Sequence, residues 1–155
     1  MTVTLIENED IFESGAQTLV CPVNCVGVMG KGLALKFARR WSALFKEYLM
    51  LCSWDQLIWG KCKLYRPDAP DEPAVILFPT KGHWKNPSDI QRLKEGLRHL
   101  EINYSGWHLG SLAVPALGCG EGGLNWELVR PLLMEHFETY DIPVEIYAPK
   151  EAHDA

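Results

Sequence analysis

Apolar positions along the chain change rhythm repeatedly, from short continuous runs to faces spaced three and four residues apart. That alternation predicts an α/β domain. Val3 to Ile6 reads as a first strand and Thr18 to Val23 as a second, with Pro22 marking an edge, a bulge or the strand's end. From Leu33 to about Trp54 the pattern is helical in two pieces. Leu33, Phe37 and Trp41 share one side, while Lys36, Arg39 and Arg40 face outward. Lys63 to Arg66 is a short strand, and Pro67 to Asp71 is a turn leading into the apolar strand Ala74 to Phe78. Ser88 is placed to cap a helix striped by Ile90, Leu93, Leu97 and Leu100, with Gln91 completing a capping box. Leu109 to Ala116 is a further strand. Asn125 can cap a helix carrying Leu128, Leu132 and Phe137 inward, in which Pro131 demands a short first turn or a kink. Val144 to Ala148 is the last strand. Helices between most successive strands predict three layers: a mixed, mostly parallel sheet with helices on both faces. Residues 1–155 read as a single domain, possible as one part of a longer protein, with 150–155 a frayed tail.

Composition narrows the class. The chain has 155 residues, 47% of them hydrophobic, enough for a core that needs no staples. No apolar run approaches the ~18 residues that cross a bilayer, and no basic-then-apolar leader opens the chain, so a soluble, cytoplasmic protein is expected. The 5 cysteines are an odd number without framework spacing, which predicts free thiols. Cys21 and Cys25 lack a second ligand pair at zinc spacing; neither a metal nor a cofactor is implied. The net charge of -5 disfavours a long duplex footprint. Its distribution is uneven: residues 31–98 hold 13 bases against 7 acids, permitting a local positive face for a phosphate-bearing substrate.

Two glycine-rich loops carry the chemistry. The first, Gly27-Val28-Met29-Gly30-Lys31-Gly32, leaves the second strand and opens onto a helix, where backbone N–H groups can turn toward an anion. It is not a nucleotide triphosphatase loop: Cys25 stands six positions before Lys31, and Gly32 follows it where a hydroxyl is required. The second, Gly118-Cys119-Gly120-Glu121-Gly122-Gly123, repeats the arrangement between a late strand and the helix near Asn125. Two such loops on one rim of an open sheet could grip a diphosphate. A third segment, Pro79-Thr80-Lys81-Gly82-His83-Trp84-Lys85, leaves the Ala74 to Phe78 strand at the same rim. Trp84 there is either a stacking face for an unpaired base or a half-buried anchor.

Asp10-Ile11-Phe12, Val23-Asn24 and the late glycine loop together resemble the macrodomain, an ADP-ribose-binding module, through nearly the whole chain. Gly27 to Ala34, Phe78 to Trp84 and Leu117 to Trp126 resemble one branch of that family. That branch holds glycohydrolases that remove ADP-ribose from DNA bases as antitoxins to a DNA ADP-ribosyltransferase. The resemblance implies a macrodomain-like fold and a set of roles. Asp10 would accept from the adenine amino group and the Ile11 backbone would donate to its ring. Asn24 would bind the distal ribose, which Gly30, Lys31, Gly32 and Leu33 would border. Gly118, Cys119, Gly120, Glu121, Gly122 and Gly123 would hold the diphosphate, and Lys81 would act on the anomeric carbon.

Two departures from the family pattern stand out. Asn24-Cys25-Val26-Gly27 lacks the usual second asparagine, and Gly122 occupies the place of an aspartate found in glutamate-directed relatives. Nucleophilic attack by Lys81 needs a neutral amine, favoured by apolar surroundings or by positive charge from Lys31, His83 or Lys85. A protonated amine would instead stabilise charge in place. His83, Trp84 and Lys85, with Arg92 and Lys94 beyond them, are candidates to touch ADP-ribosylated DNA whose modified base is unstacked or single-stranded. Release of ADP-ribose from protein glutamate, or ADP-ribose binding without catalysis, are the alternatives. A toxin is the expected protein partner, with no membrane association.

Overall fold

The computed structural model describes residues 3–150. Six strands form one sheet in the order β1-β6-β5-β2-β4-β3. They are β1 (Val3–Ile6), β2 (Thr18–Asn24), β3 (Lys63–Tyr65), β4 (Ala74–Lys81), β5 (Leu112–Val114) and β6 (Val144–Tyr147). All neighbouring pairs are parallel except β3 with β4. This is the mixed, mostly parallel sheet that the apolar rhythm predicts. No helix among the described residues is long and apolar enough to cross a membrane.

The period of two along each strand divides the core into two layers. Val20, Ile76, Phe78, Leu112, Val114 and Ile146 face α3 (Ile90–Asn103) and α4 (Trp126–Glu138), meeting Leu93, Leu97, Val129, Leu133 and Phe137. Their strand neighbours Leu19, Cys21, Val75, Leu77 and Ala113 face α1 (Gly32–Arg40) and α2 (Ser42–Ser53), meeting Phe37, Leu44 and Tyr48. The helices on either face are those that right-handed crossovers place there. Close packing leaves no room at Gly96 of α3, where a Cβ would come 2.6 Å from Phe78 Cζ.

Several local expectations change. The strand expected over Leu109 to Ala116 is β5, Leu112–Val114 only. Leu128, expected inward on α4, is 70% exposed, and the helix buries Val129, Leu133 and Phe137 instead. The α3 cap is Asp89 rather than Ser88: Asp89 Oδ1 accepts from the N–H groups of Gln91 (2.8 Å) and Arg92 (3.4 Å). Ser88 is drawn away because its N–H donates to the Gly122 carbonyl at 2.9 Å. Strand β4 does not stop at Phe78 but runs on to Lys81. Helix α4 continues through Pro131, which lies beyond the Asn125 cap on Glu127 N–H (2.9 Å). Pro22 sits in a central strand, next to a one-residue register shift in the β2–β4 ladder. Residues 151–155, most of the anticipated frayed tail, lie outside the described residues.

The sheet opens where the site lies. β2 pairs with β5 only through Thr18–Leu112 and Leu19–Ala113, although β2 continues to Asn24. The connections leaving these two strands run in opposite directions across the sheet. Their diverging carboxyl ends form a crevice at the switch point, where open α/β sheets take ligands.

Candidate functional site

A groove of about 730 Å³ crosses this rim. Strand order sets its layout. At the β1–β6 side lie Glu9, Asp10 and Ile11, together with Tyr147, Ala148, Pro149 and Lys150. The pairing of Ile6 with Tyr147 and the Ala148 N–H bond to the Ile6 carbonyl (2.9 Å) bring these two chain segments together. The centre is formed by Asn24, Val28 and the Gly30–Ala34 segment on one wall and by Pro115, Ala116 and Gly118–Gly122 on the other. Thr80, Lys81, Trp84 and Lys85 close the β4 side. From β1 to β4 is four strand spacings, about 19 Å.

The groove therefore gathers Asp10, Ile11, Asn24, Gly30, Lys31, Gly32, Leu33, Lys81, Trp84, Lys85 and residues 118 to 122. Gly123 and His83 fall outside its lining. Gly123 closes the second loop at φ +78°, and His83 stacks on Trp84 with centroids 5.6 Å apart. Lys36, Tyr147 and Lys150 also line the groove and carry no loop motif that marks them in the sequence; Thr80, within the third segment, lines it too. Five lysines face three carboxylates (Glu9, Asp10, Glu121), so the field favours an anionic ligand despite the acidic chain.

Backbone donors concentrate in the middle. Helix α1 begins at Gly32 with no side chain capping it, so its first N–H groups and the positive end of its dipole are left for a ligand. In the second loop, Leu124 N–H bonds to Gly118 O (2.8 Å) and Gly123 N–H to Gly120 O (3.2 Å). Among the described residues, the N–H groups of Gly120, Glu121 and Gly122 take no backbone partner, a nest-like run of donors of the kind that can meet an anion. Cys119 contributes no nucleophile here: burial pushes its thiol up to about 11, and its Sγ is directed at the Leu117 carbonyl 3.7 Å away. None of the five cysteines is disulfide-bonded.

Asn24 is largely committed to the protein. Its Nδ2 donates to Val28 O at 2.7 Å, and its Oδ1 accepts from Val26 N–H (3.0 Å), Val28 N–H (3.3 Å) and the Tyr48 hydroxyl (2.8 Å). One Nδ2 hydrogen remains for a ligand. The amide thus pins the start of the first glycine loop. Tyr48 braces it from α2, with a fully buried hydroxyl that also reaches Asn24 O at 2.8 Å. Burial, and secondarily Cys52, raises the Tyr48 pKa, so this hydroxyl stays a donor. Tyr48→Phe is expected to lower stability by about 1–2 kcal/mol, read by urea unfolding, because the buried Asn24 carbonyl loses its donor.

Lys81 reaches the groove through the β2–β4 irregularity. Val23 pairs with Pro79, but Asn24 pairs with Lys81, leaving Thr80 as the extra residue. Such a bulge re-aims a side chain. Here it sets Lys81 beside Asn24, and the Lys81 amine donates to Trp84 O at 3.1 Å. Lys81 and Trp84 form the β4 wall together.

These features, a groove with an excess of lysines between two glycine loops at the switch point of a three-layer sheet, coincide with the Macro domain family model, which matches residues 20–133. The chain belongs to the macrodomain family. Within it the chain groups with the DNA ADP-ribosyl glycohydrolases. It is 39% identical over 142 residues to a DNA ADP-ribosyl glycohydrolase of Mycobacterium tuberculosis, covering 90% of this chain and 40% of the relative. It is 40% identical to a DNA ADP-ribosyl transferase–DNA ADP-ribosyl glycohydrolase fusion protein of Thermosipho africanus, covering 96% of this chain and 42% of the relative. The solved macrodomain of Mycobacterium tuberculosis DarG superimposes with a TM-score of 0.90 at 38% identity, covering 95% of this chain and 97% of that one. The chain accordingly spans about two fifths of the length of the curated relatives it matches.

Proposed function

We propose that this domain is an ADP-ribosyl glycohydrolase that hydrolyses the bond between ADP-ribose and a modified base in DNA, and so acts as an antitoxin to a DNA ADP-ribosyltransferase. The placement of the Lys81 amine at one end of a groove whose middle is built from both glycine loops is the observation that carries this reading. The names of the relatives support the DNA substrate, and the fusion relative supports a transferase as partner.

In this reading the adenine lies at the β1 end. Asp10 spends Oδ1 on the Phe12 N–H (2.9 Å), and its other carboxylate oxygen accepts from the adenine amino group. The Ile11 N–H donates to the ring. The Gly120–Gly122 nest of the second loop, with Gly118, Cys119 and Gly123 shaping it, and the uncapped start of α1 hold the diphosphate. The distal ribose sits against Gly30, Lys31, Gly32 and Leu33, where the remaining Asn24 Nδ2 hydrogen meets a hydroxyl. Lys81 then faces the anomeric carbon. The modified base leaves toward Trp84 and Lys85, with His83 backing the indole; it must be unstacked or single-stranded to enter.

The decisive comparison offers the protein two substrates: single-stranded DNA carrying ADP-ribose on a base, and a peptide carrying ADP-ribose on a carboxylate. Release of ADP-ribose from the DNA, with the peptide ester turned over at least about tenfold more slowly, is the expected result. Faster release from the ester would transfer the assignment to protein glutamate. Binding of ADP-ribose with release from neither would leave a recognition module.

A further inference from the structure

We propose that Trp84 and Lys85, together with a Trp59–Arg92 pair behind them, form a docking strip for the unpaired nucleotides that flank the modified base, and that the strip is coupled to Lys81. The proposal rests on the DNA substrate inferred above.

The strip begins at the β4 wall of the groove. Trp84 is 44% exposed, with His83 stacked against it and the Lys85 amine 5.3 Å from its ring centroid. Segment 81–85 is backed by a second indole: a Cβ at Gly82 would come 2.9 Å from Trp59 Cε3, so that ring lies directly against the Gly82 backbone. Arg92, in the first turn of α3, sits over Trp59 at 5.6 Å and bonds Glu95 at 3.1 Å. Its guanidinium is held between an indole and a carboxylate while its side chain remains 49% exposed. That is a preorganised plane able to stack on a base or bond a phosphate, and little conformational entropy is lost when it does.

Flat aromatic faces capped by cations suit an unpaired strand. Stacking tolerates any base, and the cations follow the backbone. The surface is discontinuous and short, in keeping with the net charge of -5 that disfavours a long duplex footprint. Exposed Val26, Leu49 and Met50 cluster around a separate pocket, whereas Ile58 beside Trp59 is the exposed aliphatic neighbour of the strip.

Coupling follows from one hydrogen bond. The Lys81 amine is held by the carbonyl of Trp84, the residue whose ring would receive a neighbouring base. The turn is tied together: Lys85 N–H bonds His83 Nδ1 and Asn86 N–H bonds His83 O, both at 3.1 Å. Docking of a base on Trp84 therefore sets the acceptor that positions the Lys81 amine.

The test uses one ADP-ribosylated base presented in two forms, within a single strand of about twelve nucleotides and as the isolated nucleoside. In the wild-type protein the strand should show a kcat about tenfold higher and a KM about tenfold lower than the nucleoside. Arg92→Ala should raise KM on the strand about fivefold and flatten its salt dependence. Trp84→Ala should make kcat for the two forms converge. Equal kcat on both forms in the wild type, or equal proportional losses on both in Arg92→Ala, would overturn the strip. So would wild-type KM on the strand for Arg92→Ala, leaving that face for a protein partner. If the wild type binds ADP-ribose but releases it from neither form, the DNA reading itself falls and the strip with it. If it releases from both forms while the variants match it, the reading stands and the strip alone is lost.

Discussion

Lys81→Ala should reduce release of ADP-ribose from a DNA adduct by at least about a hundredfold. Affinity for free ADP-ribose should stay within about threefold of wild type, measured by calorimetric titration. The separation follows from the groove. Lys81 is one of five lysines lining it, so removing one charge leaves most of the attraction for a diphosphate. The backbone donors of α1 and the second loop are untouched. At the reacting end, no carboxylate occupies position 122, Glu121 stands beside it, and the Cys119 thiol is held neutral by burial, so neither supplies the amine that Lys81→Ala removes. Loss of ADP-ribose affinity in a folded Lys81→Ala protein would make the residue a binding group.

Lys81→Arg resolves how the amine acts. In a covalent route the amine nitrogen forms a bond to the anomeric carbon as the bond to the base breaks. The base departs with the electron pair and takes up a proton. Ring opening and loss of a proton from nitrogen give an imine, which water converts to ADP-ribose and free amine. Arginine cannot do this, so Lys81→Arg should then match Lys81→Ala. If a protonated amine only stabilises charge, arginine should restore at least about a tenth of wild-type turnover. Borohydride trapping of wild-type protein during turnover gives an independent readout, since only the covalent route leaves a stable adduct on Lys81.

Much of this arrangement was legible because it depends on local pattern. A run such as Ala74 to Phe78 must be a strand buried on both faces, and glycine clusters just beyond strand ends mark a rim in any open α/β sheet. What escaped the sequence depends on contacts between distant segments. Ser88 is chemically as good a cap as Asp89, and only its bond to Gly122 O decides between them. The extension of β4 to Lys81 goes with a bulge against β2; Pro22 left a bulge open beside an edge or a strand end, and only the pairing with β4 decides among them. Lys150 and Glu9 share a groove only because β1 and β6 are neighbours, although they lie at opposite ends of the chain. Asn24 was recognisable as a site residue. The extent to which its amide serves the first loop was not, because Tyr48 reaches it from α2.

The second loop allows a graded test in which position 122 should be the least tolerant. An alanine Cβ there would stand 2.2 Å from Ser88 Oγ and 2.4 Å from Gly118 O. The serine side chain could rotate, but it is buried at 9% exposure, and the carbonyl is backbone already bonded to Leu124 N–H. Relief requires the loop to open, which breaks the Ser88 N–H bond to Gly122 O and spreads the three free N–H groups of the nest. Gly122→Ala should therefore cost about 1–3 kcal/mol of stability and at least about tenfold in ADP-ribose affinity. Removing the hydroxyl in a Ser88→Ala background should not rescue it, since the carbonyl clash remains. Gly123→Ala meets nothing within 4 Å but must hold φ +78°, so it should lose about 1 kcal/mol with a smaller effect on binding. Gly120→Ala, with open space and no left-handed backbone, should behave like wild type in thermal unfolding. The order 120, 123, 122 is what the geometry requires. Wild-type affinity in a folded Gly122→Ala protein would show that the ligand does not use this loop.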